Sequence, residues 1–582
     1  ESSGISASKR YVVDWSDSRF LYLRKILKPS VQINVLDATQ LITNAVIFPR
    51  YIIVEPDFLL DISSVAGCFK EYGHHSLNYT VSRLAKTDVT QPILLGNYAG
   101  AALDDVVHST VLSQQEGGEE GGAAFPFAKV LSHCFQEQPL EYVSCAGFNA
   151  TQFKKDAVAQ AQNIQQIVRS LAEKYDLNKA ILEPTFVCES LGLQGRVDMM
   201  TTDFRLLIEQ KSGKNFNLAT SQVSDIGYHI ESHYVQLLLY FSVLYFNFGI
   251  TKEDISFFLL YSKYQMPTGL LPVEYYEVLI SEALKLRNQI VATELLVADS
   301  GFLTIRPLLR SDVVNVRRST SNLFIRYQKP QLDKQLEVLN PQSTLFNAQL
   351  MRYFDVMATF VYREQRASWL GESNDQTTAV SYLWRMSLKE KVLSGNILIA
   401  SVSDSDAENA DGNARNKFVR LALHDLQELQ DGDFPSNPNF RRGDSVYLYE
   451  YNDVPDVRKA FLHKANILRL SSKEIELSLM NPMGELTGKR YAIEHSTTNQ
   501  SSTASIRSLY AFLNADVRRQ QLLLAQREPE CDLSRSLSRS YSPDFDDVVL
   551  RMKQANDYFL LIGPPGTGKT SQALRFMVQE SL

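Results

Sequence analysis

The stretch GLQGRVDMMTTDFRLLIEQKSGK, residues 192–214, reads as two neighbouring strands joined by a short turn. The first, residues 195–200, delivers Asp198. The second, residues 204–210, is apolar (FRLLI) and delivers Glu209 and then Lys211. Side chains two apart on a strand share a face, so Glu209 and Lys211 point the same way, and a paired strand can bring Asp198 alongside.

Two carboxylates and an ammonium converging at a sheet edge suit one kind of chemistry. The carboxylates offer oxygen ligands to a hard divalent cation such as Mg²⁺ or Mn²⁺. Such a cation lowers the pKa of a bound water and shields a phosphodiester, and the lysine orients that water or stabilises developing negative charge. On its own, an Asp followed by Glu-x-Lys also fits a solvated turn with a surface ion pair. The context argues for a site: Gly195 and Arg196 precede the Asp, an apolar strand precedes the Glu, and Ser212-Gly213-Lys214 follow. A third element, HYVQLLLYFSVLY at 233–245, reads as a helix with few polar residues. Its exceptions, His233, Gln236 and Tyr240, fall at i, i+3 and i+7 on one face. A polar stripe on a buried helix needs partners, and an active site supplies them.

GRVD, IEQKSGK and Gln236-x-x-x-Tyr240 together resemble the RecB-like branch of the PD-(D/E)XK nucleases. That branch includes the nuclease half of the eukaryotic nuclease–helicase of Okazaki-fragment processing. The resemblance covers about a third of the chain. It implies that Asp198 and Glu209 are metal ligands, that Lys211 is the catalytic lysine, and that Gln236 and Tyr240 contact DNA near the site. Two departures stand out. Many members carry a metal-ligating His in a Gly-x-x-x-His motif on an earlier helix; here Gly96 is followed at that spacing by Gly100. Asp104, Asp105 and His108 lie one or two turns further along, with Asp104 and His108 on one face; one of them completes the site, or they are a capped or solvated helix end. Glu183, in ILEPTF, is another candidate. Some relatives also bind an iron–sulfur cluster through four cysteines. This chain has Cys68, Cys134, Cys145, Cys188 and Cys531, without paired spacing, so no cluster is expected. Five dispersed thiols suit a reducing, intracellular compartment, cytoplasmic or nucleoid.

The length of 582 residues and 44% apolar content allow several domains with sizeable cores. No apolar run approaches the roughly 20 residues of a membrane span, and the first residues, ESSGISASKR, lack the apolar core of a secretory signal. The net charge of −7 does not advertise nucleic-acid binding, although phosphate contacts need a local basic surface rather than a basic total.

The expected fold class is multidomain α/β: a lead-in at 1–75, a restriction-endonuclease-like nuclease core at 76–266, a helical connector at 267–395, a small β-barrel at 396–490, and the start of a P-loop motor domain at 491–582. Residues 151–176 have strong helix formers at helical spacing, and DISFFLLYSKY (254–264) reads as a strand. The Gly- and Glu-rich stretch 113–124 and the acidic stretch 401–416 read as loops. The helix 345–370 carries Arg352, Arg363 and Arg366, either as a plain core helix or as one that also touches a nucleic-acid backbone. Residues 441–451 alternate with period two, and ANILRL and EIELSLM repeat the pattern. That barrel resembles the one ahead of the first motor domain in nuclease–helicases of superfamily 1; Arg441 and Arg442 either grip a strand or decorate a polar hairpin.

DYFLLIGPPGTGKTSQAL (557–574) supplies an apolar strand, G-x-x-x-x-G-K-[ST] and a helix start. Gly563, Gly566 and Gly568 let backbone N–H groups wrap phosphates, Lys569 reaches the β/γ-phosphates and Thr570 holds Mg²⁺. The chain stops soon after, without the further motifs of a P-loop motor, so a fragment of a longer nuclease–helicase with weak ATP binding is expected. The leading reading is a metal-dependent nuclease acting on DNA, single-stranded ends or flaps, in replication or repair, fused to the start of an ATP-dependent superfamily 1 helicase. The alternatives are a non-catalytic DNA-binding platform of a superfamily 1 translocase, or a translocase with a vestigial nuclease. Cleavage polarity, DNA against RNA and oligomeric state are not legible.

Overall fold

The apolar run at 206–208 becomes the central strand of a five-stranded sheet in the computed structural model, which describes residues 11–40, 46–85, 88–115, 127–215, 229–371, 379–402, 416–424, 438–483, 490–497 and 500–582. The chain falls into two units, residues 1–346 with 355–507 and residues 347–354 with 508–582. In the first unit the elements that build the site are helices α1 (Gln91–Gln115) and α2 (Ala150–Ala172), then strands β1 (Ala180–Leu182), β2 (Thr185–Cys188), β3 (Leu193–Arg196), β4 (Met199–Thr201) and β5 (Leu206–Lys211). Helix α3 (Glu231–Phe248) follows, then β6 (Ser256–Tyr261), β7 (Leu270–Pro272) and helix α4 (Glu277–Ser300).

The sheet runs β7-β6-β5-β4-β1. β4 and β5 are antiparallel neighbours, whereas β5 and β6 are parallel, a pairing that needs a crossover; α3 lies in that crossover and ends at Gly249, whose φ of 72° only glycine adopts without strain. Period two along β5 sorts its side chains. Leu206 and Ile208 join the cluster formed with α1 and α2, while Leu207 joins the one formed with α3. Burying each is worth about 1.5–3 kcal/mol over exposure, so a slip of one residue is strongly disfavoured. Glu209 and Lys211 thereby fall on the α3 face.

The strand expected at 195–200 is broken. β3 pairs with β2 and with Leu60–Asp61, while β4 belongs to the five-stranded sheet. Across the break, Val197 N–H donates to the Pro184 carbonyl (3.1 Å) and Glu183 N–H to the Asp198 carbonyl (2.9 Å). Glu183 adopts φ 52° directly before a proline, and this irregularity in the facing chain turns the ladder from one sheet into the other. Asp198 sits at the corner. The lead-in is also more than a lead-in, because Leu60–Asp61 is a strand of the smaller sheet.

A closed six-stranded barrel lies in the same unit: β8 (Ile397–Val402), β9 (Asn416–Leu423), β10 (Ser445–Glu450), β11 (His463–Leu470), β12 (Glu474–Met483) and β13 (Tyr491–His495). Along β10, Val446 and Leu448 point into the barrel, and Tyr447 and Tyr449 join the core shared with α3 and α4. Arg441 and Arg442 are exposed beside the turn before β10. Arg363 and Arg366 bind the end of α4, through the Ala298 carbonyl (2.9 Å) and the Asp299 carboxylate (2.5 Å), so both are occupied by helix packing. Residues 116–126 and 403–415, covering most of the two expected loops, lie outside the described residues; 113–115 continue α1 and 401–402 end β8.

The second unit corrects the P-loop setting. Residues 558–562 form no strand, and Leu560 and Ile562 are 74% and 92% exposed. A strand needs a hydrogen-bonding neighbour, and among the described residues of this unit the β-pairing is one isolated bridge, Cys531 to Ala555. The rest of the motif keeps its form. Gly566 and Gly568 adopt φ of 83° and 80°, and a helical segment, Lys569–Leu574 then Arg575–Ser581, follows. The Lys569 ammonium folds back onto the Gly563 and Pro564 carbonyls.

Candidate active site

Asp198, Glu209 and Lys211 converge as their spacing predicts. The Lys211 ammonium lies 2.6 Å from Glu209 Oε1. Asp198 Oδ2 accepts the Gln210 backbone N–H at 2.6 Å, which pins its carboxylate against β5 between those two residues. From α3, Gln236 Nε2 donates to Glu209 Oε1 at 2.7 Å. Glu209 is 3% exposed, and its other oxygen, Oε2, is buried with no hydrogen-bond partner among the described residues. An unpartnered buried carboxylate oxygen is costly, and it fits a donor set that a cation would complete.

The electrostatics agree. Burial, then the neighbouring Asp198 charge, pushes Glu209 up to about 8, against the pull of Lys211. Burial also raises Asp198, opposed by Lys211 and the Gln210 N–H. For Lys211 burial alone would lower the ammonium, but the two carboxylates outweigh it and hold it above its ordinary value. Two carboxylates with one lysine therefore cannot both ionise easily, and a divalent ion would relieve the strain.

The resemblance implied that Gln236 and Tyr240 touch DNA. The structure places both inside the protein, 9% and 3% exposed. Gln236 holds Glu209, and Tyr240 Oη donates to the Arg196 carbonyl at 2.5 Å, tying α3 to the strand end before Asp198. Gly195 makes room for that ring, since a Cβ there would lie 2.8 Å from Tyr240 Cε1. Glu183 reaches the neighbourhood as well; its carboxylate pairs with Arg196 at 3.0 Å, and burial, with Asp198 adding to it, raises its pKa.

Asp104 and His108 are placed differently. Gly96 is where α1 approaches the site, a Cβ there lying 3.3 Å from Ser212 Oγ. At 1.5 Å per residue, Asp104 and His108 lie about 12 and 18 Å further along a helix that packs on the opposite face of the sheet. Among the described residues, no three His, Cys, Asp or Glu side chains form a metal-sized cluster. The sequence reading missed the support behind β5: Ser262 Oγ bridges Gln210 (3.1 Å) and Gln160 (2.7 Å), and Gln160 also donates to the Ser212 carbonyl. No period or motif marks that network.

Neither a family model nor a curated protein matches this chain. Among solved structures it is similar to a protein from Eubacterium rectale described as a "putative exonuclease", at 16% identity, with 41% of this chain and 81% of that one covered and a TM-score of 0.26. At that score the likeness carries no argument about fold or function. No helix among the described residues is long and apolar enough to cross a membrane.

Proposed function

We propose that this chain is a metal-dependent nuclease that hydrolyses DNA phosphodiester bonds, with single-stranded ends or flaps as substrate, of the RecB-like PD-(D/E)XK type. The observation that carries the reading is the meeting of Asp198, Glu209 and Lys211 around an unpartnered carboxylate oxygen. Asp198 and Glu209 would hold Mg²⁺ or Mn²⁺; Asp104 and His108 are too far along α1 to be assigned to the same ion. When bound, such an ion supplies an activated water and neutralises phosphate charge. Lys211, kept protonated by both carboxylates, orients the attacking water and stabilises charge on the phosphate oxygens. Gln236 fixes the Glu209 carboxylate, and Arg196, on the exposed lip, offers a phosphate contact.

A labelled single strand tests this. Cleavage should require Mg²⁺ or Mn²⁺ and cease in chelator, and Lys211→Ala should lower it by about a hundredfold or more while leaving strand binding in place. Wild-type rates in that variant would remove the assigned site. One observation favours a second reading, a non-catalytic DNA-binding platform: no third metal-ligating side chain joins the pair among the described residues. Metal-dependent cleavage by the purified chain decides between them.

The second unit would bind a nucleoside triphosphate through Gly563, Gly566, Gly568, Lys569 and Thr570, as part of an ATP-dependent helicase in an intracellular setting. Its support is the pair of left-handed glycines ahead of a helical segment. Lys569 would have to leave the Gly563 and Pro564 carbonyls to meet phosphates.

A further inference from the structure

Of the three polar residues on one face of α3, two end in the site and the third, His233, lies one turn nearer the helix start on that same face. Its neighbour is Tyr261 of β6, the register partner of Lys211, so the Tyr261 and Lys211 side chains stand side by side on the α3 face. Tyr261 is fully buried, and its Oη lies 3.1 Å from His233 Nδ1. A phenolic O–H buried this deeply needs an acceptor, and among the described residues Nδ1 is the atom in reach. Satisfying the buried O–H in this way leaves Nδ1 unprotonated and puts the imidazole N–H at Nε2. Burial, with the Lys211 charge beside it, keeps the ring neutral, down to about 3. Nε2 has no partner among the described residues, and the His233 side chain keeps part of its surface exposed.

We infer that His233 touches the substrate: held by Tyr261 as a neutral Nε2–H donor at the mouth of the site, it hydrogen-bonds a backbone phosphate oxygen of the nucleic-acid strand. The inference rests on the nuclease reading of Asp198, Glu209 and Lys211. Beside the Lys211 cation, an outward N–H selects an anionic oxygen, and being uncharged it adds direction without competing for a metal ion.

Two substitutions separate the ends of the ring. In His233→Gln an amide N–H takes the place of Nε2; in His233→Asn an amide takes the place of Nδ1, keeping the Tyr261 contact without the outward donor. Strand affinity is read by fluorescence anisotropy with a labelled single strand in Ca²⁺, and kcat and KM are read in Mg²⁺. His233→Asn should weaken Kd and KM about tenfold with a wild-type Tm, and His233→Gln should stay within about threefold of wild type. An unimpaired His233→Asn, or a His233→Gln as impaired as His233→Asn, overturns the inference while leaving the nuclease reading intact. A wild type that binds but never cleaves, with binding still weakened in His233→Asn, sinks the nuclease reading and keeps the strand contact. A wild type that neither binds nor cleaves overturns both.

Discussion

Glu209 concentrates the account at the scale of a single residue. The folded chain holds its proton more tightly than the unfolded chain does, because burial and the Asp198 charge lift it from 4.5 to about 8. With metal chelated, stability should therefore be greatest below about pH 4.5 with respect to this group, and should decline as pH rises through about 8. Glu209→Gln removes that linkage. Its Tm in chelator should vary less between pH 5 and pH 8 than that of wild type and should exceed it at pH 8, by about a few degrees. Parallel Tm profiles for the two proteins would show that Glu209 is ionised throughout and that no charge conflict exists there. That Asp198, Glu209 and Lys211 meet was legible beforehand from their types and spacing. What the spacing could not convey is which carboxylate oxygen lacks a donor, because that depends on Gln236 arriving from a helix more than twenty residues away.

Among strands and helices, the fit of α3 against β3 places the acid. Tyr240 fills the space above Gly195 and bonds the Arg196 carbonyl, so the helix sets the position of the corner that carries Asp198. Gly195→Val should push the ring aside, lowering both Tm and the cleavage rate. Tyr240→Phe keeps the ring, loses one hydrogen bond worth about 1 kcal/mol, and should show a smaller loss of both. If Gly195→Val cleaves at the wild-type rate, the helix does not position the acid. The periodicity of α3 and β5 was readable because each buries one face and the apolar pattern records it. The break between β3 and β4 was not, because it is imposed by the facing chain, where Glu183 turns left-handed before Pro184. The strand expected before Gly563 failed for a related reason. An apolar run specifies burial only when a neighbour is there to receive it, and here Leu560 and Ile562 face outward.

Across the first unit as a whole, the barrel and the sheet and helices that build the site share one apolar interior. Phe461, just ahead of β11, packs on Phe204, Phe248 and Phe186, with ring centroids 5.5–6.0 Å away, and Arg458 pairs with Glu189 at 2.8 Å. Tyr447 and Tyr449 enter the same cluster as Leu207 and Leu259. This shared interior is not marked in the sequence, because contacts between segments distant in sequence leave no periodic trace. The two parts should unfold as one cooperative body. Phe461→Ala, a partly buried truncation costing about 2 kcal/mol, should speed hydrogen exchange in β10 and β5 together; exchange confined to the barrel would make it an independent domain. In the proposed function Asp198 and Glu209 would share one divalent cation beside Lys211. Anomalous diffraction from a crystal soaked in Mn²⁺ tests it most directly. The prediction is a single strong peak about 2.0–2.3 Å from an oxygen of each carboxylate, with Glu209 Oε2 as one ligand. Mn²⁺ bound elsewhere, with Asp198 and Glu209 unliganded under conditions that support cleavage, would contradict it.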